Sequence, residues 1–107
     1  MCHCELAHRG GCKFGYRPKE ACAAFGRVDI LVKNAGMSPQ IPSHEVSEAL
    51  FDSVVNHNFN GPFRLATQIG KLMFDGDGGC IINVTSSGSL KPLPQVVPYG
   101  SSKAALN

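Results

Sequence analysis

Residues 28–36 read VDILVKNAG. Val28, Ile30, Leu31 and Val32 form a short run rich in β-branched residues, closed by a turn that contains Gly36. A run of this length and composition reads as a strand. Its nearly continuous apolar residues predict burial on both faces, as in a parallel sheet. Just upstream, KEACAAF (Lys19 to Phe25) reads as a short helix stopped by Gly26, since a glycine after the last helical residue is a common C-terminal stop. Just downstream, MSPQIPS (Met37 to Ser43) carries two prolines and two serines and reads as a loop.

From about Val46 to Phe74 the period becomes helical. Leu50, Phe51, Val54, Val55, Phe59, Phe63, Ala66, Ile69, Leu72 and Met73 recur at three- and four-residue steps. The stretch DGDGG (Asp75 to Gly79) ends that helix. CIINVT (Cys80 to Thr85) is a second strand of the buried type, SSGSLKPLPQ is a loop, and a further helix begins near Val97. Strand, long helix, strand, helix is a βαβα order, which predicts an α/β fold with parallel strands.

The chain has 107 residues, enough for at most one domain. Its apolar share of 43% and charged share of 17% fit a globular protein and exclude a chain too polar to form a core. No apolar run reaches the roughly 18 residues of a membrane span. The N-terminus has no apolar stretch of the secretory type, so a cytoplasmic location is expected. The net charge of +2 is uneven. Arg9, Lys13, Arg17, Lys19 and Arg27 outweigh Glu5 and Glu20 at the N-terminal end. That is too sparse for nucleic-acid binding, which needs a dense basic patch. Five cysteines without a secretory signal argue against a disulfide framework. Cys2, His3, Cys4, His8 and Cys12 cluster, but not as two separated ligand pairs, so free thiols are expected and no metal site.

Four residues are candidates for chemistry, although taken singly Tyr99 and Lys103 read equally as a solvent-facing pair, Ser86 as a turn serine and Asn58 as part of a capped or kinked helix. Tyr99 and Lys103 are four residues apart, on one face of the last helix. A free phenol titrates near 10, and a neighbouring ammonium favours its anion, so the pair suits acid/base exchange. Ser86 follows the second strand directly, at the strand end where ligands bind in open α/β sheets. Asn58 interrupts the apolar stripe of the long helix, and Pro62 follows four residues later. Proline has no N–H, so the Asn58 carbonyl loses its usual helical partner and is open to a water.

FGRVDILVKNAG, NFNGPF, IINVTSS and YGSSKAAL occur in this order, with thirteen residues from Ser86 to Tyr99. Together they resemble the short-chain dehydrogenase/reductases. The likeness covers residues 25–107, with residues 1–24 left as an irregular lead-in without a clear match. It implies part of a Rossmann-like, doubly wound parallel sheet, lacking its N-terminal and C-terminal parts. It also implies an oxidoreductase that moves a hydride between NAD or NADP and a small carbonyl or alcohol substrate. Tyr99 would then be the acid/base, Lys103 would support Tyr99 and bond the nicotinamide ribose, Ser86 would hold the substrate oxygen, and Asn58 would hold a relay water. Asn34, Ala35 and Gly36 would lie beside the adenosine half of the cofactor. Lys33 stands where the family carries an asparagine that ties the central strands together.

No glycine-rich turn lies between a predicted strand and a helix, where a pyrophosphate would be seated. HRGGCKFG (His8 to Gly15) has glycines without that context. The chain ends four residues after Lys103, in a helix that, with the long one, builds the family's homo-oligomer interface. That interface is therefore expected to be truncated. The alternative to an active enzyme is a non-catalytic fragment without independent cofactor binding.

Overall fold

The computed structural model describes residues 26–107. The lead-in over residues 1–24, the helix expected over Lys19 to Phe25 and the cluster of Cys2, His3, Cys4, His8 and Cys12 lie outside the described residues.

Strand β1 (Ile30–Lys33) pairs in parallel with β2 (Cys80–Asn83). The register sets Ile30 beside Cys80, Leu31 beside Ile81, Val32 beside Ile82 and Lys33 beside Asn83. Backbone bonds extend the ladder at both ends, from Cys80 N–H to the Asp29 carbonyl (2.9 Å) and from Val84 N–H to the Lys33 carbonyl (3.0 Å). At the amino ends of the strands, the Arg27 guanidinium bridges Asp29 and Asp77. The hydrogen bond to Asp29, then the charges of both carboxylates, hold Arg27 above the usual arginine value.

Helix α1 (Glu48–Val55) opens at Ser47, whose hydroxyl accepts the Leu50 N–H (3.3 Å) and so satisfies one unpaired donor of the first turn. The chain then passes through a π-helical turn, Asn56–Asn60, into α2 (Gly61–Asp75). A single helix from 46 to 74 is thus corrected to two α segments around a wide turn, in which Gly61 N–H reaches the Asn56 carbonyl. Pro62 falls in the first turn of α2, which continues the helical path of the π turn; having no N–H, it cannot donate to the Asn58 carbonyl one turn earlier. Helix α2 ends as Gly76 and Gly78 both donate to the Met73 carbonyl. Gly78 adopts a φ of +89° there, a conformation that side chains resist.

The core lies between β1 and α2. Leu31, Ile69 and Met73 are buried, with Val28, Leu65 and Ala66 packed around them. Helix α3 (Val97–Ala104) packs on α1 and on the π turn, covering Val54 and burying Pro98. The expectation of strands buried on both faces is corrected. Leu31 is 1% exposed, yet Val32 is 42% exposed and every residue of β2 is exposed. Among the described residues the sheet has two strands, and the core helix covers only part of it. No helix among them is long and apolar enough to cross a membrane.

Candidate active site at the carboxyl ends of the strands

Because β1 and β2 are parallel, their carboxyl ends open on the same side. The turn Asn34–Gly36 leaves β1 there, and Ser86 follows β2 there. Helix α3 brings Tyr99 and Lys103 to the same region.

Lys103 is 3% exposed. Its Nζ donates to the Val84 carbonyl at 2.9 Å and lies 5.9 Å from the centre of the Tyr99 ring. The turn after β1 crosses directly above it: a methyl group on Gly36 would lie 3.3 Å from Lys103 Nζ and 3.6 Å from Asn58 Oδ1. Glycine thus lets the backbone of this turn approach the ammonium closely. Asn34, Ala35 and Gly36 are all exposed, so this backbone faces solvent on its other side.

Asn58 is wholly buried in the π turn. Its side-chain amide holds both backbone groups of Met37. Oδ1 accepts Met37 N–H at 2.9 Å, and Nδ2 donates to the Met37 carbonyl at 2.9 Å. Nδ2 also donates to Ser102 Oγ at 2.9 Å, and Ser102 donates onward to the Tyr99 carbonyl at 2.8 Å. No buried side-chain nitrogen or oxygen among the described residues is without a partner. Such a fully satisfied network holds its members in one arrangement.

Ser86 occupies the turn before α3. Its Oγ accepts Gly88 N–H at 3.2 Å, which leaves the hydroxyl proton to be donated elsewhere. Its carbonyl accepts both the N–H (3.0 Å) and the hydroxyl (2.6 Å) of Ser89. This turn packs closely on α3, since a methyl group on Gly100 would lie 3.1 Å from the Gly88 carbonyl. The loop before α3 and the loop after β1 are joined by Ile41 N–H to the Gln95 carbonyl (2.8 Å). Gln95 has a φ of +62°, which few non-glycine residues adopt.

The structure therefore brings Asn58, Tyr99, Lys103 and the Asn34–Gly36 turn into one constellation, with the Ser86 turn packed on α3 next to Tyr99. Ser102, Met37 and Val84 escaped the sequence reading. Ser102 had a signal, a serine three residues after Tyr99 and next to Lys103. The Met37 and Val84 contacts are made by backbone and left no mark in residue type. Lys33 is half-buried opposite Asn83, and burial lowers its ammonium below the usual lysine value. The ladder bond at its carbonyl is intact. Among the described residues no three metal-binding side chains gather.

The profile of the family described as short chain dehydrogenase matches residues 15–107. The chain belongs to this family. It is 42% identical over 88 residues to an uncharacterized oxidoreductase of Thermotoga maritima, covering 82% of this chain and 35% of that one. It is 40% identical over 81 residues to the D-threitol dehydrogenase of Mycolicibacterium smegmatis, covering 76% and 31%. Among solved structures, NAD+-bound xylitol dehydrogenase superposes with a TM-score of 0.77 at 28% identity, covering 82% of this chain and 34% of that one. A metagenomic short-chain oxidoreductase in complex with NADP gives 0.77 at 32% identity, covering 83% and 41%. The chain spans about a third of the length of the curated relatives it matches. Its fold is a part of the α/β Rossmann fold of the short-chain dehydrogenases, with the parallel strands and crossover helix expected from the sequence.

Proposed function

We propose that this chain carries the proton-transfer half of a short-chain dehydrogenase active site, for reduction of a small carbonyl compound or oxidation of the matching alcohol. The observation that carries this reading is the placement of Lys103, buried within 5.9 Å of the Tyr99 ring and beneath the Gly36 turn. A nicotinamide cofactor fits these residues in part. The open backbone of Asn34, Ala35 and Gly36 offers an edge for the nucleoside, and Lys103 Nζ offers a donor to a ribose hydroxyl. No glycine-rich pyrophosphate turn accompanies them in the sequence. NAD and NADP both occur in the solved neighbours, and either is compatible with this half of the site.

When bound, the nicotinamide supplies or accepts the hydride. Tyr99 Oη gives its proton to the substrate oxygen in the reducing direction and takes it back in the oxidising direction. Ser86 donates its free hydroxyl proton to the same oxygen, stabilising charge that develops there. The Lys103 ammonium stands 5.9 Å from the centre of the Tyr99 ring, beside the group that gives and takes the proton. The Asn58 carbonyl, deprived of a helical donor by Pro62, holds the water through which the proton is replaced.

The test is titration of the folded 107-residue chain with NADH and NADPH, followed by turnover with short aldehydes, ketones and polyols. Tyr99→Phe should abolish turnover. A variant that turns over at the parent rate would sink the mechanism. A second reading has its own support: β2 is exposed throughout, and the site's residues come without a glycine-rich pyrophosphate turn. In that reading the site is inherited and unused, and the folded chain binds neither nucleotide.

A further inference from the structure

Ser102 has a part in this site that its own chemistry does not suggest. It is 1% exposed, and its Oγ lies between Asn58 Nδ2 (2.9 Å) and the Tyr99 carbonyl (2.8 Å). A hydroxyl has one proton. The Asn58 amide nitrogen has only protons to give, so the serine proton goes to Tyr99. The direction of the Asn58 amide is fixed as well, because Oδ1 must face Met37 N–H while Nδ2 faces the Met37 carbonyl. The result is a one-way chain of hydrogen bonds from the Met37 backbone, next to the Gly36 turn, to the backbone of Tyr99. The preceding serine, Ser101, is exposed. Serine within a helix often back-bonds to its own preceding turn and bends it slightly. Here that back-bond is held in place by a second residue, 44 positions away in sequence.

We propose that Ser102 is a positioning residue. It ties the first turn of α3 to Asn58 and so sets where Tyr99 stands relative to the turn after β1. This rests on the reading of Tyr99 as the acid/base, and Ser102 itself touches no reacting atom. An alanine at 102 would remove the link while leaving both Met37 bonds of Asn58 intact.

The chain has two tyrosines, Tyr16 and Tyr99. Labelling with 3-fluorotyrosine therefore gives two fluorine resonances, assigned by Tyr16→Phe. Ser102→Ala should move and broaden the Tyr99 resonance. Ile69→Val, a truncation in the core away from this network, should leave it in place. An unmoved Tyr99 resonance in folded Ser102→Ala overturns the proposal. If Ser102→Ala does not fold, the unsubstituted chain decides. A nuclear Overhauser contact between the Asn58 side-chain amide and the Ser102 side chain supports the link, and its absence overturns it. Turnover is a separate readout. Where it is present, Ser102→Ala should lower kcat on the order of tenfold with nucleotide KM nearly unchanged. A chain without turnover whose Tyr99 resonance answers to Ser102 keeps the positioning role and refutes the catalytic reading. Turnover with an unmoved resonance does the reverse.

Discussion

Asn58→Ala is the substitution whose cost can be worked most directly from the structure. The side chain is 0% exposed and makes three hydrogen bonds, each of 2.9 Å. Each is worth about 1 kcal/mol net, and a buried group left unpaired costs about 1–3 kcal/mol. Ser102 keeps its bond to the Tyr99 carbonyl, and Met37 is only part-buried, so water recovers some of the loss. A total near 3 kcal/mol follows, set against roughly 5–10 kcal/mol for a whole domain of this size. With a urea slope of about 1 kcal/mol per molar, the midpoint should fall by roughly 2–3 M, or the variant should be unfolded without denaturant. Asn58→Asp sharpens the test. Its carboxylate still accepts from Met37 N–H but faces the Met37 carbonyl with no proton to give. When protonated it can donate again. Burial raises the folded-state pKa of that carboxyl, so the stability it contributes is present at low pH and lost as pH rises through that value. Urea melts followed by circular dichroism at pH 5 and pH 7 should show Asn58→Asp recovering at the lower pH relative to Asn58→Ala. An Asn58→Ala midpoint matching the parent would refute the reasoning, because it would mean the Met37 backbone does not depend on this amide.

Two further substitutions probe the surroundings. Gly36→Ala sets a methyl group 3.3 Å from Lys103 Nζ and 3.4 Å from its Cε. The end of a lysine can yield, so stability should fall by about 1 kcal/mol or less while nucleotide binding weakens, and a titration with NADH together with a urea melt separates the two. A large stability loss would show that Lys103 cannot move. Lys33→Met removes an ammonium that burial holds below its usual value. In the parent, the unfolded state binds more protons than the native state just below pH 10.5, the ordinary lysine value, so parent stability rises with pH there. Lys33→Met should therefore be the more stable at pH 7, with the advantage shrinking as pH rises into that window. Parallel stability curves for the two proteins would contradict this.

The strands and the last helix were legible because their signals are local. VDILVK and CIINVT carry β-branched runs bounded by glycines, and the parallel pairing follows from the helix between them. The π turn was not legible. The apolar stripe keeps its three- and four-residue steps through Asn56–Asn60, so nothing in the period marks the widened turn. Pro62 hinted at a break, but not that a wide turn would precede it. The buried line runs Val54, Asn58, Pro62, Ile69 and Met73, while Phe51, Phe63 and Leu72 of the same stripe stay 38–55% exposed. Asn58 could be singled out as a polar residue on an apolar face. Its partners could not, because they lie 21 and 44 residues away and two of the three are backbone atoms. The exposure of β2 was also beyond local signals. An apolar strand is written for the neighbours of a whole sheet, and its residues read as buried whether or not those neighbours are at hand.

The sheet and the site differ in how far each is complete, and the difference bears on what the chain can do. Along the sheet, Val32, Ile81, Ile82 and Val84 are 38–44% exposed and the two strands pair only with each other among the described residues. Open strand edges and exposed β-branched residues favour association with other strands. In the site, Asn58, Ser102 and Lys103 are at most 3% exposed and find all their partners within residues 37–103. The hydrogen bonds that orient Tyr99 and Lys103 therefore do not depend on the strands that a longer relative would add. What further strands would change is the stability of the platform beneath the site. Pairing partners for β1 and β2 would therefore stabilise the platform and leave the Asn58–Ser102–Tyr99 arrangement as it stands.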